Sequence, residues 1–298
     1  MAPPPLLELG GSGPPLHIAP ANSFPLATYA PVFEPLLDRF RVVSVPLRAL
    51  WPNAGPPPDE PGSWADLGQD LAEGLAVHGL TGVVAVGHSF GAVASLVAAA
   101  RRPDLFRGLC LLDPTMILPE QIERIYRPDV HGVTQHRLAV KARERKDQFA
   151  SEREAFEDWR PKPLFRDWSD AALWRYVRGA LVPGRDQPGF TLAWSAAWEA
   201  HYYEGLYQGS WADLDRLDPS IPVLVIRGEQ TDTFLPAAAD RFRAARPSAT
   251  VVEIPGYGHL FPQATPEETS RILADWLGAN VGRRKSEFGH RARTPTDS

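Results

Sequence analysis

The sequence predicts an α/β fold, in which helices cover both faces of a mostly parallel β-sheet. Short runs rich in β-branched residues alternate along the chain with amphipathic stretches of helical period. These runs are largely apolar, which is typical of strands buried on both faces. The chain has 298 residues, 44% of them hydrophobic and 22% charged, which suits one buried core carrying an insertion.

The individual elements follow from the same alternation. The predicted strands are residues 15–19, 42–45, 83–86, 109–112, 222–226 and 251–254. The predicted helices are residues 29–40, 64–78, 90–102, 237–246 and 266–277. The last helix follows Thr265 and opens with Pro266, with Glu268 three residues after the threonine. This spacing predicts a capping box.

The alternation stops between residues 116 and 211, where no run resembles a strand. Charged helical patterns fill this segment, and it holds six of the nine tryptophans. We therefore expect an α-helical insertion over 116–211, divided into short helices by prolines. Residues 1–115 and 212–280 then form the core, and the polar residues 281–298 form a flexible tail.

Composition excludes several classes of protein. A net charge of -5 argues against a partner such as nucleic acid, which requires a strongly basic surface. A single cysteine, Cys110, excludes intramolecular disulfides and cysteine-rich metal sites. The N-terminus does not resemble a signal peptide, and the longest apolar run covers only residues 92–100, where a membrane span needs ~20. We expect a cytoplasmic protein without a membrane span.

A candidate nucleophile lies in the segment Gly87-His88-Ser89-Phe90-Gly91. The segment follows one predicted strand directly and opens the next predicted helix. A sharp strand–turn–helix connection of this kind presents a serine hydroxyl above the carboxyl end of the sheet. The alternative is a glycine-rich turn with an incidental serine. Its neighbour His88 is expected to pack inside the turn.

A serine hydroxyl needs a base, and the base needs an acid. His259 lies in a glycine-flanked loop after the last predicted strand, where it could reach Ser89. Two aspartates also follow strands. We favour Asp232 as the acid because Gly228 gives its loop a turn, whereas Pro114 after Asp113 favours an extended exit. Asp113 is the alternative and is expected to cap its strand end.

Together these motifs resemble the α/β-hydrolase superfamily, specifically a serine esterase-like branch with a helical cap. The order Ser89, Asp232, His259 is the order found in that superfamily. The segment 19–25, followed by Tyr29, is similar to the family's "His-Gly-Asn-Gly-Phe-Pro" loop, although Pro20 replaces its histidine and Ala21 and Ser23 its glycines. The resemblance implies an oxyanion hole made by the backbone N–H groups of Asn22 and Phe90.

The resemblance implies a serine hydrolase that cleaves small-molecule carboxylic esters through an acyl-enzyme, without metal or organic cofactor. A serine nucleophile excludes the superfamily's dehalogenases and epoxide hydrolases, which attack with aspartate. Hydrolysis of a C–C bond, thioester or lactone remains open, as does a non-catalytic binding module, and the oligomeric state is not predicted. The aromatic residues of the cap are expected to line a substrate pocket or to pack the cap. The pocket candidates are Phe24, Trp194, Trp198 and Tyr202.

Overall fold

A seven-stranded, mostly parallel sheet forms the centre of the protein. The computed structural model describes residues 3–60, 62–121, 126–128, 134–184, 188–205 and 207–281. The strand order is β1-β3-β2-β4-β5-β11-β12, in which β1 pairs antiparallel with β3 and the other neighbours are parallel. The strands are β1 Leu7–Gly10, β2 Pro15–Ala19, β3 Arg41–Ser44, β4 Val83–His88, β5 Phe106–Leu112, β11 Val223–Gly228 and β12 Thr250–Ile254. The predicted fold class is confirmed.

Helices cover both faces of this sheet. They are α1 Ala30–Phe33, α2 Trp64–Val77, α3 Phe90–Arg101, α9 Pro236–Ala245, α10 Phe261–Ala264 and α11 Pro266–Asn280. Alternate residues of β4 enter opposite cores: Val83 and Ala85 pack with α2 and α3, whereas Val84 and Val86 pack with α1 and α11. All four are fully buried. Burial on both faces explains why the strands are apolar without alternation.

The six predicted strands are all present, with small differences at their ends. The edge strand β1 was not predicted, because it has only four residues, Leu-Glu-Leu-Gly, all of them exposed or half-buried. The predicted helix over 29–40 is shorter than expected. Pro31 and Pro35 divide it into α1 and two 3-10 turns, Leu26–Tyr29 and Glu34–Leu36, since proline removes a backbone donor.

The segment between β5 and β11 contains short strands as well as helices. Strands β6 Tyr126–Pro128 and β7 Thr134–His136 pair antiparallel with each other, and β8 Gln148–Phe149, β9 Leu181–Pro183 and β10 Phe190–Leu192 form a small sheet. The helices are α4 Arg137–Arg143, α5 Glu152–Trp159, α6 Asp170–Ala180, α7 Ala196–Glu204 and α8 Ser210–Arg216. The expectation that no strand occurs here is therefore wrong. Strands of two or three residues are too short to produce a periodic signal.

The predicted capping box before α11 is wrong, although the helix itself is confirmed. Thr265 closes the preceding short helix α10, and its N–H donates to the Phe261 carbonyl at 2.8 Å. Its side chain accepts no capping bond, and Glu268 pairs with Arg271 instead. A capping box does occur at the start of α2, where Ser63 and Asp66 exchange the two bonds.

One buried side chain on β2 makes the stability of the fold sensitive to pH. His17 is fully buried, and its Nε2 accepts the N–H of Val45 at 2.9 Å. Burial lowers the pKa of His17 to about 3, since charging the ring would desolvate an imidazolium. The unfolded chain binds this proton with a pKa of about 6.5. Stability from this group is complete above that value and falls as the pH drops toward the folded pKa.

We expect the free energy of unfolding to fall between pH 7 and pH 5, with about 2 kcal/mol of the decrease due to His17. The measurement is urea unfolding at both pH values for the wild type and for His17→Gln. Glutamine keeps an acceptor for Val45 but does not titrate, so the variant should lose about that part of the decrease. An unchanged decrease in His17→Gln would contradict the prediction.

Candidate active site

Ser89 occupies a strained turn between β4 and α3. Its backbone has φ 60° and ψ -125°, a region that residues other than glycine seldom adopt. A Cβ on Gly87 would lie 2.4 Å from the Gly91 carbonyl oxygen, and one on Gly91 would lie 2.3 Å from that of Ala19. Both glycines are therefore required for close backbone approach. The predicted strand–turn–helix connection is present, with the serine at its apex.

His259 lies in the loop after β12, and both of its ring nitrogens are hydrogen-bonded. Its Nε2 is 2.9 Å from Ser89 Oγ, and its Nδ1 is 2.6 Å from Asp113 Oδ2. The side chain of His259 is 22% exposed, whereas that of Asp113 is completely buried. The structure thus brings Ser89 and His259 together, as expected. Ser89, His259 and Asp113 form one continuous hydrogen-bonded line.

The carboxylate in this line differs from the one favoured by sequence. Nδ1 of His259 is bonded to Asp113 and Nε2 to Ser89, so neither ring nitrogen is left for Asp232. Asp232 lies exposed in its loop, where one carboxylate oxygen accepts the hydroxyl of Thr233 at 3.3 Å. The aspartate that the structure places beside His259 is therefore Asp113 and not Asp232, the one favoured from sequence.

The conformation of Asp113 explains this outcome. The extended backbone expected before Pro114 is not present. Asp113 instead adopts φ 42°, and its N–H donates to the Ile226 carbonyl at 2.7 Å. Its carboxylate also accepts the N–H of Gly228 at 3.1 Å and the hydroxyl of Thr231. The loop after β11 therefore directs Thr231 inward and the next residue, Asp232, toward solvent. Three donors satisfy the buried carboxylate and orient it toward His259.

Two backbone N–H groups near Ser89 are available to a ligand. In the part of the chain that the structure describes, neither the N–H of Phe90 nor that of Asn22 donates to a protein acceptor. The loop carrying Asn22 packs against the turn, since the carbonyl oxygens of Ala19 and Pro20 lie within 2.5 Å of a Cβ placed on Gly91. Free amides beside a nucleophile can stabilise a developing oxyanion.

Two contacts hold the loop of Asn22 in place. The Asn22 side-chain amide donates to the backbone carbonyl of Glu199 in α7 at 3.0 Å. Ser23 occupies the position of the second glycine in the "His-Gly-Asn-Gly-Phe-Pro" loop. It adopts φ 62° and donates its hydroxyl to Asn22 Oδ1 at 3.3 Å. The loop thus keeps a glycine-like conformation without the glycine.

Thr115 is a site residue that the sequence analysis missed. Its hydroxyl lies 3.1 Å from Ser89 Oγ, and its N–H donates to the Ser89 carbonyl at 3.3 Å. When Ser89 donates its proton to His259, its oxygen can accept the hydroxyl proton of Thr115. The only signal in the sequence was its position two residues after Asp113.

Three of the four pocket candidates lie around one small cavity. Phe24, Trp194 and Tyr202 line it together with Asn22 and Ser23, so it adjoins the loop next to Ser89. Trp198 does not line this cavity: its indole N–H donates to the Gly55 carbonyl at 2.8 Å, and its ring packs on that of Tyr202. Trp198 is therefore a contact between α7 and the core in this structure.

The sequence as a whole matches a family model. The model described as the alpha/beta hydrolase family covers residues 11–272. The chain belongs to the alpha/beta hydrolase family. Its Ser89–His259–Asp113 line lies within the matched region.

Individual relatives of this alpha/beta hydrolase agree with that assignment. A 2-(acetamidomethylene)succinate hydrolase of Mesorhizobium japonicum is 29% identical over 279 residues, which cover 90% of each chain. The crystal structure of an E-2-(acetamidomethylene)succinate hydrolase has a TM-score of 0.75 at 23% identity, covering 92% of this chain and 94% of that chain. A thermophilic esterase from Thermogutta terrifontis has a TM-score of 0.66 at 21% identity, with 92% and 93% covered. At these identities the two solved structures support the fold.

Two further findings concern the described residues of this hydrolase. None of the helices in that part of the chain is both long enough and apolar enough to cross a membrane. Within the same ranges, no three His, Cys, Asp or Glu side chains are grouped to hold a metal ion.

Proposed function

We propose that this alpha/beta hydrolase is a serine hydrolase with Ser89 as nucleophile, His259 as general base and Asp113 as the acid that orients the histidine. The observation that carries the proposal is the hydrogen-bonded line from Ser89 Oγ through His259 to Asp113, at 2.9 and 2.6 Å. The strained backbone of Ser89 supports it, because strain of this kind clusters at reactive sites.

The chemistry follows from the positions of these groups. Ser89 Oγ attacks the acyl carbon while His259 Nε2 takes its proton, and the negative charge of Asp113 stabilises the imidazolium that forms. The N–H groups of Phe90 and Asn22 stabilise the oxyanion, and each such donor contributes about 3 kcal/mol to lowering the barrier. His259 then returns the proton to the leaving group, and water releases the acyl group from Ser89.

The proposed substrate is a small-molecule carboxylic ester with its acyl carbon at Ser89 and one end directed toward the small cavity that Phe24, Trp194 and Tyr202 line. Most of this lining is apolar, which suits the acyl or alcohol part of an ester.

We also propose that residues 116–211 serve as a cap over the site and that 1–115 and 212–280 are the core. Of the expected tail 281–298, residues 282–298 lie outside the described residues. A cytoplasmic location remains part of the proposal.

A second candidate is hydrolysis of an acetamido compound. The observation in its favour is the relative named 2-(acetamidomethylene)succinate hydrolase, which matches 90% of the chain. Hydrolysis of an amide depends on a general acid more than hydrolysis of an ester does, because the amide nitrogen leaves only after it has received a proton. His259, hydrogen-bonded through Nδ1 to Asp113, could supply that proton from Nε2.

A substrate panel with covalent labelling tests the proposal. We expect p-nitrophenyl esters of varied chain length to be hydrolysed, and a fluorophosphonate probe to label the protein at Ser89. An N-acetyl enamide measured beside the esters separates the two candidates by kcat/KM. Faster turnover of the enamide would replace the ester proposal. A folded protein that neither turns over any substrate nor reacts with the probe would exclude a serine hydrolase and favour a binding module.

A further inference from the structure

A buried chain of hydrogen bonds connects three loops of the candidate active site. The N–H of Ala21 donates to the Tyr29 hydroxyl oxygen at 3.0 Å, and this oxygen lies 2.7 Å from Nδ1 of His88. Nε2 of His88 then lies 2.9 Å from the backbone carbonyl oxygen of His259. Tyr29 and His88 are completely buried. The chain runs from the residue before Asn22, through the residue before Ser89, to the backbone of His259.

The acceptors in this chain determine where its protons lie. The His259 carbonyl can only accept, so Nε2 of His88 must carry a hydrogen. In a neutral imidazole Nδ1 is then bare and accepts. The hydroxyl of Tyr29, which already accepts from Ala21, donates to it. With His88 neutral and protonated at Nε2, every group in the chain has a partner of the correct kind.

The surroundings of His88 also favour the neutral ring. The aromatic rings of Phe24, Tyr29 and Phe261 enclose it, and the His259 ring lies with its centroid 4.9 Å away. The titratable groups that face it are Tyr29 and His259. Burial, followed by the proximity of His259, holds the pKa of His88 well below its usual value. A neutral His88 does not repel the charge that His259 would acquire from Ser89.

We propose that His88 is a positioning residue which, held by Tyr29, sets the position of His259 relative to Ser89 and the oxyanion loop. The proposal rests on the proposed function. His88 donates to the backbone of His259 from the chain position next to Ser89, so it fixes the distance between nucleophile and base. Tyr29 fixes the ring of His88 and, through Ala21, the loop that presents the amide of Asn22. Misplacement by about 1 Å in such an arrangement can reduce turnover on the order of 100-fold.

The first test reads the tautomer and does not depend on activity. Two-bond ¹H–¹⁵N correlation spectra of histidine-labelled protein distinguish Nε2–H from Nδ1–H and the neutral from the charged ring. We expect His88 to be neutral and protonated at Nε2 from pH 5 to pH 8, with its signals identified by their absence in His88→Gln. An Nδ1–H tautomer, or titration of His88 near pH 6.5, would overturn the proposal.

The second test separates positioning from stability. Glutamine at position 88 can still donate to the His259 carbonyl, whereas leucine cannot. We therefore expect kcat to fall on the order of 100-fold in His88→Leu and about 10-fold in Tyr29→Phe, with KM little changed and with much of kcat restored in His88→Gln. His17→Gln is the matched control, because it alters another fully buried histidine bonded to a backbone group. It should lower the melting temperature without lowering kcat.

The outcomes distinguish this proposal from the function on which it rests. If the folded His88→Leu and Tyr29→Phe variants keep the kcat of the wild type and only melt earlier, the two residues are structural and the positioning role is wrong. If the wild type itself is inactive and Ser89 is not labelled, the proposed function fails. The tautomer of His88 would still be read in that case, and it would decide whether the hydrogen-bonded chain exists as described.

Discussion

Ser89→Ala should reduce kcat for the preferred substrate on the order of 10⁶-fold. The hydroxyl oxygen of Ser89 is the atom that would bond to the acyl carbon. The neighbouring Thr115 hydroxyl is not in place to substitute for it, because Thr115 contacts Ser89 Oγ at 3.1 Å whereas Nε2 of His259 is bonded to Ser89. The melting temperature should change little, because alanine also has a Cβ and experiences the same strain at φ 60°. The measurement is steady-state kinetics together with a thermal melt.

Ser95→Ala is the matched control for this variant. Ser95 lies in the helix that begins directly after Ser89, is fully buried, and donates its hydroxyl to the Gly91 carbonyl at 2.8 Å. Its replacement removes a buried serine hydroxyl without touching His259. We expect nearly normal kcat and continued labelling by a fluorophosphonate at Ser89. Labelling that persists in Ser89→Ala would assign the nucleophile to another residue.

Asp113→Asn should have the second largest effect, a loss of about 10⁴ in kcat at neutral pH. The amide can present its NH₂ group to His259 Nδ1, which then carries no proton, so Nε2 is protonated and cannot accept from Ser89. Stability should also fall, because Asp113 accepts bonds from Gly228 and Thr231 as well as from His259. An amide has one acceptor oxygen for these donors.

Asp232→Asn provides the comparison, since it makes the same chemical change in the other aspartate considered from sequence. Its side chain is exposed, and Nδ1 of His259 is bonded to Asp113 instead, so kcat and the melting temperature should remain close to those of the wild type. Both variants are to be assayed with the same substrate and followed by melting curves. An inactive, folded Asp232→Asn beside an active Asp113→Asn would reverse the assignment of the acid.

The sheet and the position of Ser89 in a sharp strand–turn–helix connection could be predicted from sequence because their signals are local. An apolar strand such as β4 is buried on both faces, and the turn at Ser89 requires glycines at fixed spacing for close backbone approach. The placement of His259 was also local, as a loop at the carboxyl end of a strand. Each of these inferences needs only a few neighbouring residues and a parallel sheet.

The aspartate that contacts His259 could not be predicted in this way, because the choice depends on contacts between distant segments. Asp113 and Asp232 both follow strands and both precede His259, so chain order does not separate them, and the turn expected from Gly228 favoured Asp232. The choice is made by φ 42° at Asp113 and by the loop after β11, which turns Thr231 inward to bond the carboxylate. Neither a positive φ nor the inward side of a loop has a signature in single-residue preferences.

The short strands between β5 and β11 and the missing cap at Thr265 have related causes. Pairing of β8 with β10 involves residues more than 40 positions apart and only two residues of β8, so no periodic pattern forms. Thr265 has the right residue type for a cap, but the preceding helix α10 leaves its backbone in a conformation from which the side chain does not reach the helix N-terminus. In each case a contact with another element determines the local structure, and the preferences of the residues themselves do not.

The distance along the chain between the two partners of the site has a consequence for biosynthesis. Ser89 and His259 are 170 residues apart, and the histidine arrives after the last strand of the sheet. At usual rates of translation, roughly 10 to 30 s separate the synthesis of the two residues. During that interval the ribosome carries a serine whose hydroxyl has no base and remains a weak nucleophile. Under the proposed roles, the polypeptide gains its reactivity only after the segment that carries His259 has been made, and a chain terminated before that segment stays inert.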